Sequence, residues 1–336
     1  MLARLIPRRV RVLCAIRARN DAHAGERLDE TLRRLWRSPP ARARRQLRAV
    51  ACDLEAGPMT LAGLDEVTHV LHAAAAIGFE QSIEQARSAN VGGTRAVLGL
   101  ARRAPRLQRV VHVSTAYVAG TWEGSFAEDD LDVGQGFRNT YERSKLEAEL
   151  LVREAARDLP VVVARPSIVM GESRTGWTTS FNVLYPLLRA YRRGLVARVP
   201  ADPDGYVDIV TGDYVADGLV HLLLDAPTAD GAYNLVSGRA ALTVALLRDL
   251  AAATLGLPPI ELDAERGRTP EGIGVLGPYL GVRTRFDDRR ARAALRPAGI
   301  EPTAPVRAFG ALMSYAERAA WGKRPQTRAD ATAMPV

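Results

Sequence analysis

Through its first half the chain alternates short apolar runs with stretches of helical period. "VRVLCAI" (10–16) reads as a strand, and "AGERLDETLRRLW" (24–36) sets Leu28, Leu32 and Leu35 on one helical face. "LRAVACDL" (47–54) gives a second strand. "THVLHAAAA" (68–76) gives a third, followed by a helical stretch through "IEQARSANVGGTRAVLGLARRA". "QRVVHVST" (108–115) is a fourth. A loop rich in Gly and Asp leads from it to the helix "TYERSKLEAELLVREAA", and "PVVVARPSIV" (160–169) is a fifth strand. Strands that are apolar throughout and separated by helices imply an α/β chain with a doubly wound parallel sheet covered on both faces.

Beyond residue 170 the alternation weakens. "NVLYPLLRAYRRG", "GDYVADGLVHLLLDA" and "TVALLRDLAAATLG" are helical in period, with short strand-like pieces such as "GAYNLVSG" between them. This pattern divides the chain into a sheet domain at 1–170, a smaller and mostly helical region at 171–322, and a polar tail at 323–336 expected to be disordered.

Composition narrows the classes. The net charge of +8 points first to nucleic acid, but the arginines are spread along the chain with acids between them and no aromatic-basic repeat, so no nucleic-acid partner is expected. Cys14 and Cys52 sit in apolar runs, as buried thiols do in a reducing compartment, here the cytoplasm. His69 and His72 form an HxxH, yet odd spacing in a strand sends the rings to opposite faces, and no metal site is expected. No stretch is long and apolar enough to span a bilayer. The opening "MLARLIPRRVRVLCAIRAR" is Arg-rich and free of acids like a transit peptide, but Pro7 and "VRVLCAI" favour folded structure.

Candidate chemistry gathers where such sheets bind ligands, outside the carboxyl ends of the strands. "VVHVST" delivers Ser114 and Thr115 there, and the next helix opens with Tyr141 and Lys145 four residues apart, hence on one face. The chain holds 44 Arg and only two Lys, so a retained Lys at this position has a chemical reason. A compact ammonium can bond ribose hydroxyls and lower the pKa of a nearby phenol, which a guanidinium does not replicate. The spacing also suits an exposed helical turn, but its place in the fold favours hydroxyl, phenol and ammonium converging on one carbonyl.

With "HAAA", "NVGGT", "HVSTAYVAG", "TYERSK", "ARPSIVMGE" and "VDIVTGDYVADGL" in this order over about residues 10–220, the chain resembles the extended short-chain dehydrogenase/reductases. Within them it is similar to the fatty acyl-CoA reductase and thioester reductase group, the male-sterility-type NAD-binding domain. The resemblance implies a Rossmann-like NAD(P)-binding domain at 1–170, with its first βα unit incomplete, and a substrate-binding region at 171–322. It implies that Tyr141 donates or accepts the proton, that Lys145 holds the nicotinamide ribose and lowers the phenol's pKa, and that Thr115 binds the substrate carbonyl, with Ser114 as the alternate. It sets Asp53 and Leu54 by the adenine, Ala74 and Ala75 along the dinucleotide, Asn90 bracing the strands near the catalytic helix, and Pro166 and Ser167 bordering the nicotinamide. Arg17 and Arg19 follow the first strand, where arginine suits the 2'-phosphate of NADP better than the free ribose of NAD. The implied activity is NADP-dependent hydride transfer to an acyl thioester, small or carrier-bound, or to the derived aldehyde. An NAD-dependent nucleotide-sugar epimerase or dehydratase and a non-catalytic truncated homologue are the alternatives.

The chain departs from that family at its start. The family opens with a strand and a Gly-rich turn that seats pyrophosphate on a helix N-terminus, whereas "MLARLI" reads as the back half of the helix after that turn. The start is therefore expected roughly 20 residues late, by the usual size of a βα unit. The GxGxxG at Gly272, Gly274 and Gly277 follows no convincing strand and precedes Pro278, so it reads as a flexible loop near the substrate region. Thr211 stands where the family often has proline. Losing the central strand should leave the strands at 10–16 and 69–75 without their shared neighbour. They should then face an open slot roughly 9–10 Å across rather than pair at about 4.8 Å.

Overall fold

A computed structural model describes residues 1–57, 60–226, 229–263 and 277–333. Strand β1 (Val12–Ile16) pairs in parallel with β2 (Leu47–Ala51), Val12 opposite Leu47 through Ile16 opposite Ala51. The connecting helix, Asp21–Leu35, begins three residues before its apolar stripe because the Asn20 side chain caps it, accepting from the His23 N–H at 2.9 Å. Its buried Ala24, Leu28 and Leu32 face β2. Leu28 and Leu32 join Ile6, Ala43 and Leu47 in a small core of this layer's own.

The main parallel sheet has the order Gly231–Leu235, Val161–Pro166, β4 (Arg109–Val113), β3 (His69–His72). His69 to His72 lie opposite Arg109 to His112, and Val110 to Val113 opposite Val161 to Ala164. Strand β3 stops at His72 although the apolar run continues to Ala76, since Asn90 claims the Ala76 backbone in place of a ladder partner. The apolar run 160–169 splits at Ser167. Val161–Pro166 stays in the main sheet, while Ile168–Met170 turns away to pair with Ile209–Thr211. Helix Gly212–Leu224 covers the lower face of the main sheet and the 231–235 strand joins its edge, so these later segments build the sheet layer too.

Strands β1 and β3 do not pair; each is an edge among the described residues. The direct pairing of the two strands, the alternative to an open slot, is not what forms. Between them lies a cavity of about 980 Å³ lined by Val12 to Ala15 on one side and His69 to Ala76 on the other.

Two expectations meet a different outcome or none. The polar tail is ordered through residue 333: Arg328–Ala333 is helical, Ala331 packs with Tyr315 and Ala319, and Arg328 bonds Glu172. Burial of Ala331 and the charge pair supply contacts that composition alone conceals. Gly272 and Gly274 of the GxGxxG lie outside the described residues. No helix among those described is long and apolar enough to cross a membrane.

Under the helix Thr140–Ala155, Glu149 and Arg165 form a fully buried ion pair at 2.6 Å. Arg165→Met should strand the Glu149 carboxylate and cost about 3–5 kcal/mol. The double change Glu149→Leu with Arg165→Met should recover most of that loss, as read by urea unfolding midpoints.

Candidate active site

The site is built where β4 ends against the start of the Thr140–Ala155 helix. Ser114 extends the ladder, its N–H donating to Ala164 O at 2.7 Å. Its hydroxyl turns back into the core and donates to Glu149 Oε2 at 2.6 Å. Thr115 takes the opposite direction. It opens a short turn, Ala116–Ala119, accepts from the Tyr117 N–H at 3.2 Å and lies within reach of the Tyr141 phenol. Of the two hydroxyls that the sequence left open, Thr115 faces Tyr141, whereas Ser114 is committed to Glu149.

The Asn139 side chain caps the helix by accepting from the Glu142 N–H at 3.0 Å, and helical period then stacks Tyr141, Lys145 and Glu149 on one face. Tyr141 is half-buried, and burial pushes its phenol up to about 12 against a smaller lowering by Thr115. The phenol is therefore a proton holder at neutral pH. Lys145 is buried with its Nζ donating to Val113 O at 2.8 Å, and burial lowers it to about 8 while the Glu149 charge holds it up. The partner that lowers the phenol's pKa in this structure is thus Thr115, not Lys145, whose ammonium is turned to the strand end.

Behind Lys145, His72 and His112 face each other across β3 and β4 with ring centroids 5.2 Å apart. Burial first and then the Lys145 charge drive both pKa values down, His72 to about 3, so both rings are neutral.

Asn90 joins the β3 side to this helix. It lies in a π-helical turn, Ser88–Gly92, of the kind common at functional sites. Its side chain accepts from the Ala76 N–H at 2.8 Å and donates to Ala76 O at 3.1 Å and to Ser144 Oγ at 2.9 Å. Pro166 ends its strand beside Thr115, whose hydroxyl reaches Pro166 O at 3.4 Å. The Ser167 hydroxyl instead donates to buried Asp208 at 2.6 Å, a carboxyl that burial raises to about 6 although the Ser237 and Gly238 N–H groups also bind it.

An aromatic wall stands over Tyr141. Phe79 meets its ring edge-on at 5.7 Å, Tyr279 lies 5.7 Å from Phe79, and Tyr117 packs edge-on to Tyr279 at 5.1 Å. Sequence reasoning missed these three. Tyr117, two residues past Thr115, was the one with a local signal; Tyr279 arrives from a distant part of the chain. Gly120 closes the turn that carries Tyr117 at φ 52°, and a Cβ there would sit 2.0 Å from Gly136 O, so only glycine fits.

The large cavity collects the other candidates. Arg17, Asp53, Leu54, Ala74 and Ala75 all line it; Arg19, Asn90, Pro166, Ser167 and the Thr115–Tyr141–Lys145 group do not. Arg17 is 73% exposed and paired with Glu55 at 3.0 Å, and Arg19 is exposed on the following turn. Asp21, the acid nearest them in sequence, spends its carboxylate on the Ala51 N–H at 2.8 Å. The volume, the exposed small-residue wall Ala73–Ala75 and the exposed Asp53, whose carboxylate accepts from the Glu55 N–H at 3.0 Å, fit the adenosine side of a dinucleotide. Ala76, held by Asn90, leads from that wall towards the Tyr141 helix.

Burial of the Lys145 ammonium makes its charged form a cost to the folded state. Between pH about 8 and its ordinary 10.5 the unfolded chain holds more protons than the folded one, so stability rises with pH across that window. Lys145→Met should therefore be more stable than the parent at pH 7, with the advantage shrinking by pH 10, measured as urea midpoints at both values.

Comparison with known proteins gives a consistent picture. A family model described as male sterility protein, an NAD-binding domain, matches residues 1–219. The fatty acyl-CoA reductase wat of Drosophila melanogaster is 29% identical over 185 residues, 47% of this chain and 36% of that protein. The chain thus spans about a third of that relative's length. The isonitrile lipopeptide synthase of Streptomyces coeruleorubidus is 32% identical over 231 residues, 65% of this chain and 15% of the synthase. Among solved structures, the terminal R domain of the myxalamid PKS-NRPS pathway superposes with a TM-score of 0.79 at 24% identity, covering 97% of this chain and 88% of that one. At these identities the structural likeness speaks for the fold alone.

Proposed function

The chain belongs to the male sterility protein family, within the extended short-chain dehydrogenase/reductases, and on that premise we propose that it is an NADP-dependent reductase of acyl thioesters or of the aldehydes derived from them. The observation that carries the reading is the pairing of a Tyr141 phenol held protonated with the Thr115 hydroxyl, at the carboxyl end of β4 and under an apolar aromatic wall. A reductase needs a proton for the oxygen that gains negative charge, and a phenol pushed up to about 12 carries one at every physiological pH.

In this reading Thr115 orients the substrate carbonyl and Tyr141 delivers its proton to the developing alkoxide. Phe79, Tyr117 and Tyr279 exclude water and offer an apolar surface to the acyl chain. Lys145, charged below about pH 8, holds the ribose of the cofactor and supplies the positive field beside the phenol once it swings from Val113 O. A bound nicotinamide cofactor supplies the hydride. Asp53, Leu54, Ala74 and Ala75 hold its adenosine side, and Pro166 and Ser167 border its other end, with the Ser167 hydroxyl kept on Asp208. NADP is favoured over NAD because Asp21 is occupied at Ala51 while the Arg17 guanidinium stays at the cavity rim.

Replacing Tyr141 by Phe should lower turnover by roughly 10²–10⁴-fold and leave NADPH binding within a factor of about two; turnover kept at the parental rate would remove the assignment. Arg17→Glu should weaken NADPH about tenfold, close to 1.4 kcal/mol, with NADH affinity unchanged in isothermal titration. Tightly held NAD released on denaturing the purified protein would instead favour the nucleotide-sugar enzyme.

A further inference from the structure

We propose that Asp208 is a positioning residue, which fixes the polarity of the Ser167 hydroxyl so that its oxygen is left as a hydrogen-bond acceptor for the amide NH2 of a bound nicotinamide. This rests on the reading above, in which Ser167 borders the nicotinamide end of the cofactor. Asp208 is 3% exposed, and its carboxyl oxygens face three donors. Oδ1 accepts from the Ser167 hydroxyl at 2.6 Å and from the Ser237 N–H at 2.8 Å, and Oδ2 accepts from the Gly238 N–H at 3.0 Å. The two N–H groups are fixed by the backbone, so only the hydroxyl can turn. A serine hydroxyl has one hydrogen and two lone pairs. With its hydrogen spent on Asp208, Ser167 has only lone pairs to offer elsewhere.

The place of the contact gives it a use. Ser167 follows Pro166, whose carbonyl meets the Thr115 hydroxyl at 3.4 Å, and Ser237 and Gly238 follow the neighbouring strand Gly231–Leu235. Asp208 thus ties the carboxyl ends of two adjacent strands, the edge of the sheet where ligands bind. Burial raises the carboxyl to about 6, so it is charged at neutral pH and takes a proton just below it. Three other titratable groups share its surroundings. Asp288, paired with Arg292 at 2.6 Å, raises Asp208 further, and the Tyr117 and Tyr214 phenols are pushed up and stay neutral. When Asp208 takes a proton, both N–H groups still need its lone pairs, so the new hydrogen goes towards Ser167. The hydroxyl then turns to accept it and presents its own hydrogen outward, donor against the donor NH2.

Isothermal titration of the full chain tests this with oxidised NADP and its 3-acetylpyridine analogue, in which a methyl group replaces the amide NH2. The ratio of the two Kd values cancels what the ligands share, including the titrating 2'-phosphate. At pH 7.5 the parent should bind NADP about fivefold more tightly than the analogue, the worth of one hydrogen bond, and at pH 5 the preference should vanish. Ser167→Ala should give a ratio close to one at both pH values, and Asp208→Asn the same ratio at both. A ratio near one in the parent at pH 7.5, a preference kept by Ser167→Ala, or a pH step kept by Asp208→Asn would overturn the proposal and leave the cofactor assignment standing. Binding of neither ligand by the parent would remove that assignment and the proposal with it.

Discussion

A guanidinium can be buried only if its donors are all answered, and Arg165 is enclosed completely. Its nitrogens bond the Glu149 carboxylate and the carbonyls of Glu128 and Asp130, and its charge lies 5.7 Å from the Phe126 ring. Glu149 in turn receives the Ser114 hydroxyl. One charge pair therefore binds the Val161–Pro166 strand, the end of β4 and the Thr140–Ala155 helix at a single point. These elements carry Thr115, Tyr141, Lys145 and Pro166. Their mutual positions are set from behind, by a network that faces away from the cavity.

That network also explains how two adjacent hydroxyls acquire different tasks. Alternation along an extended chain sends Ser114 and Thr115 to opposite sides. The inward one helps satisfy a buried carboxylate, and the outward one is left beside the phenol. Lys145 stands one helical turn from Glu149, so the carboxylate that anchors the helix also keeps the buried ammonium from losing its proton more readily.

Much of this was legible in the sequence, for reasons that differ by element. Uniformly apolar runs gave the five strands and their parallel setting, because strands buried on both faces have no polar alternation to hide. The Tyr141–Lys145 spacing was legible because one helical turn is a local fact. The choice between Ser114 and Thr115 was not, since it depends on Glu149 and Arg165, which come from other elements. The aromatic wall was hidden for the same reason: Phe79 and Tyr279 are 200 residues apart in sequence and 5.7 Å apart in space. Strand ends also shifted. At Ala76 a side-chain amide outcompetes the ladder, and at Ser167 the chain changes sheets, neither of which a hydrophobic pattern records.

The layer of β1, β2 and helix Asp21–Leu35 has its own apolar core, and among the described residues no ladder joins it to the main sheet. What crosses the seam in large part is charge: Arg4 to Asp217, Arg8 to Asp225, Arg11 to Glu66 and Arg37 to Asp330. Partly exposed ion pairs of this kind are screened by salt, whereas apolar cores are not. These pairs therefore act as an electrostatic latch across part of the seam between the two layers. Rising ionic strength should therefore loosen the contact of the β1–β2 layer with the main sheet while leaving the apolar core within each layer in place.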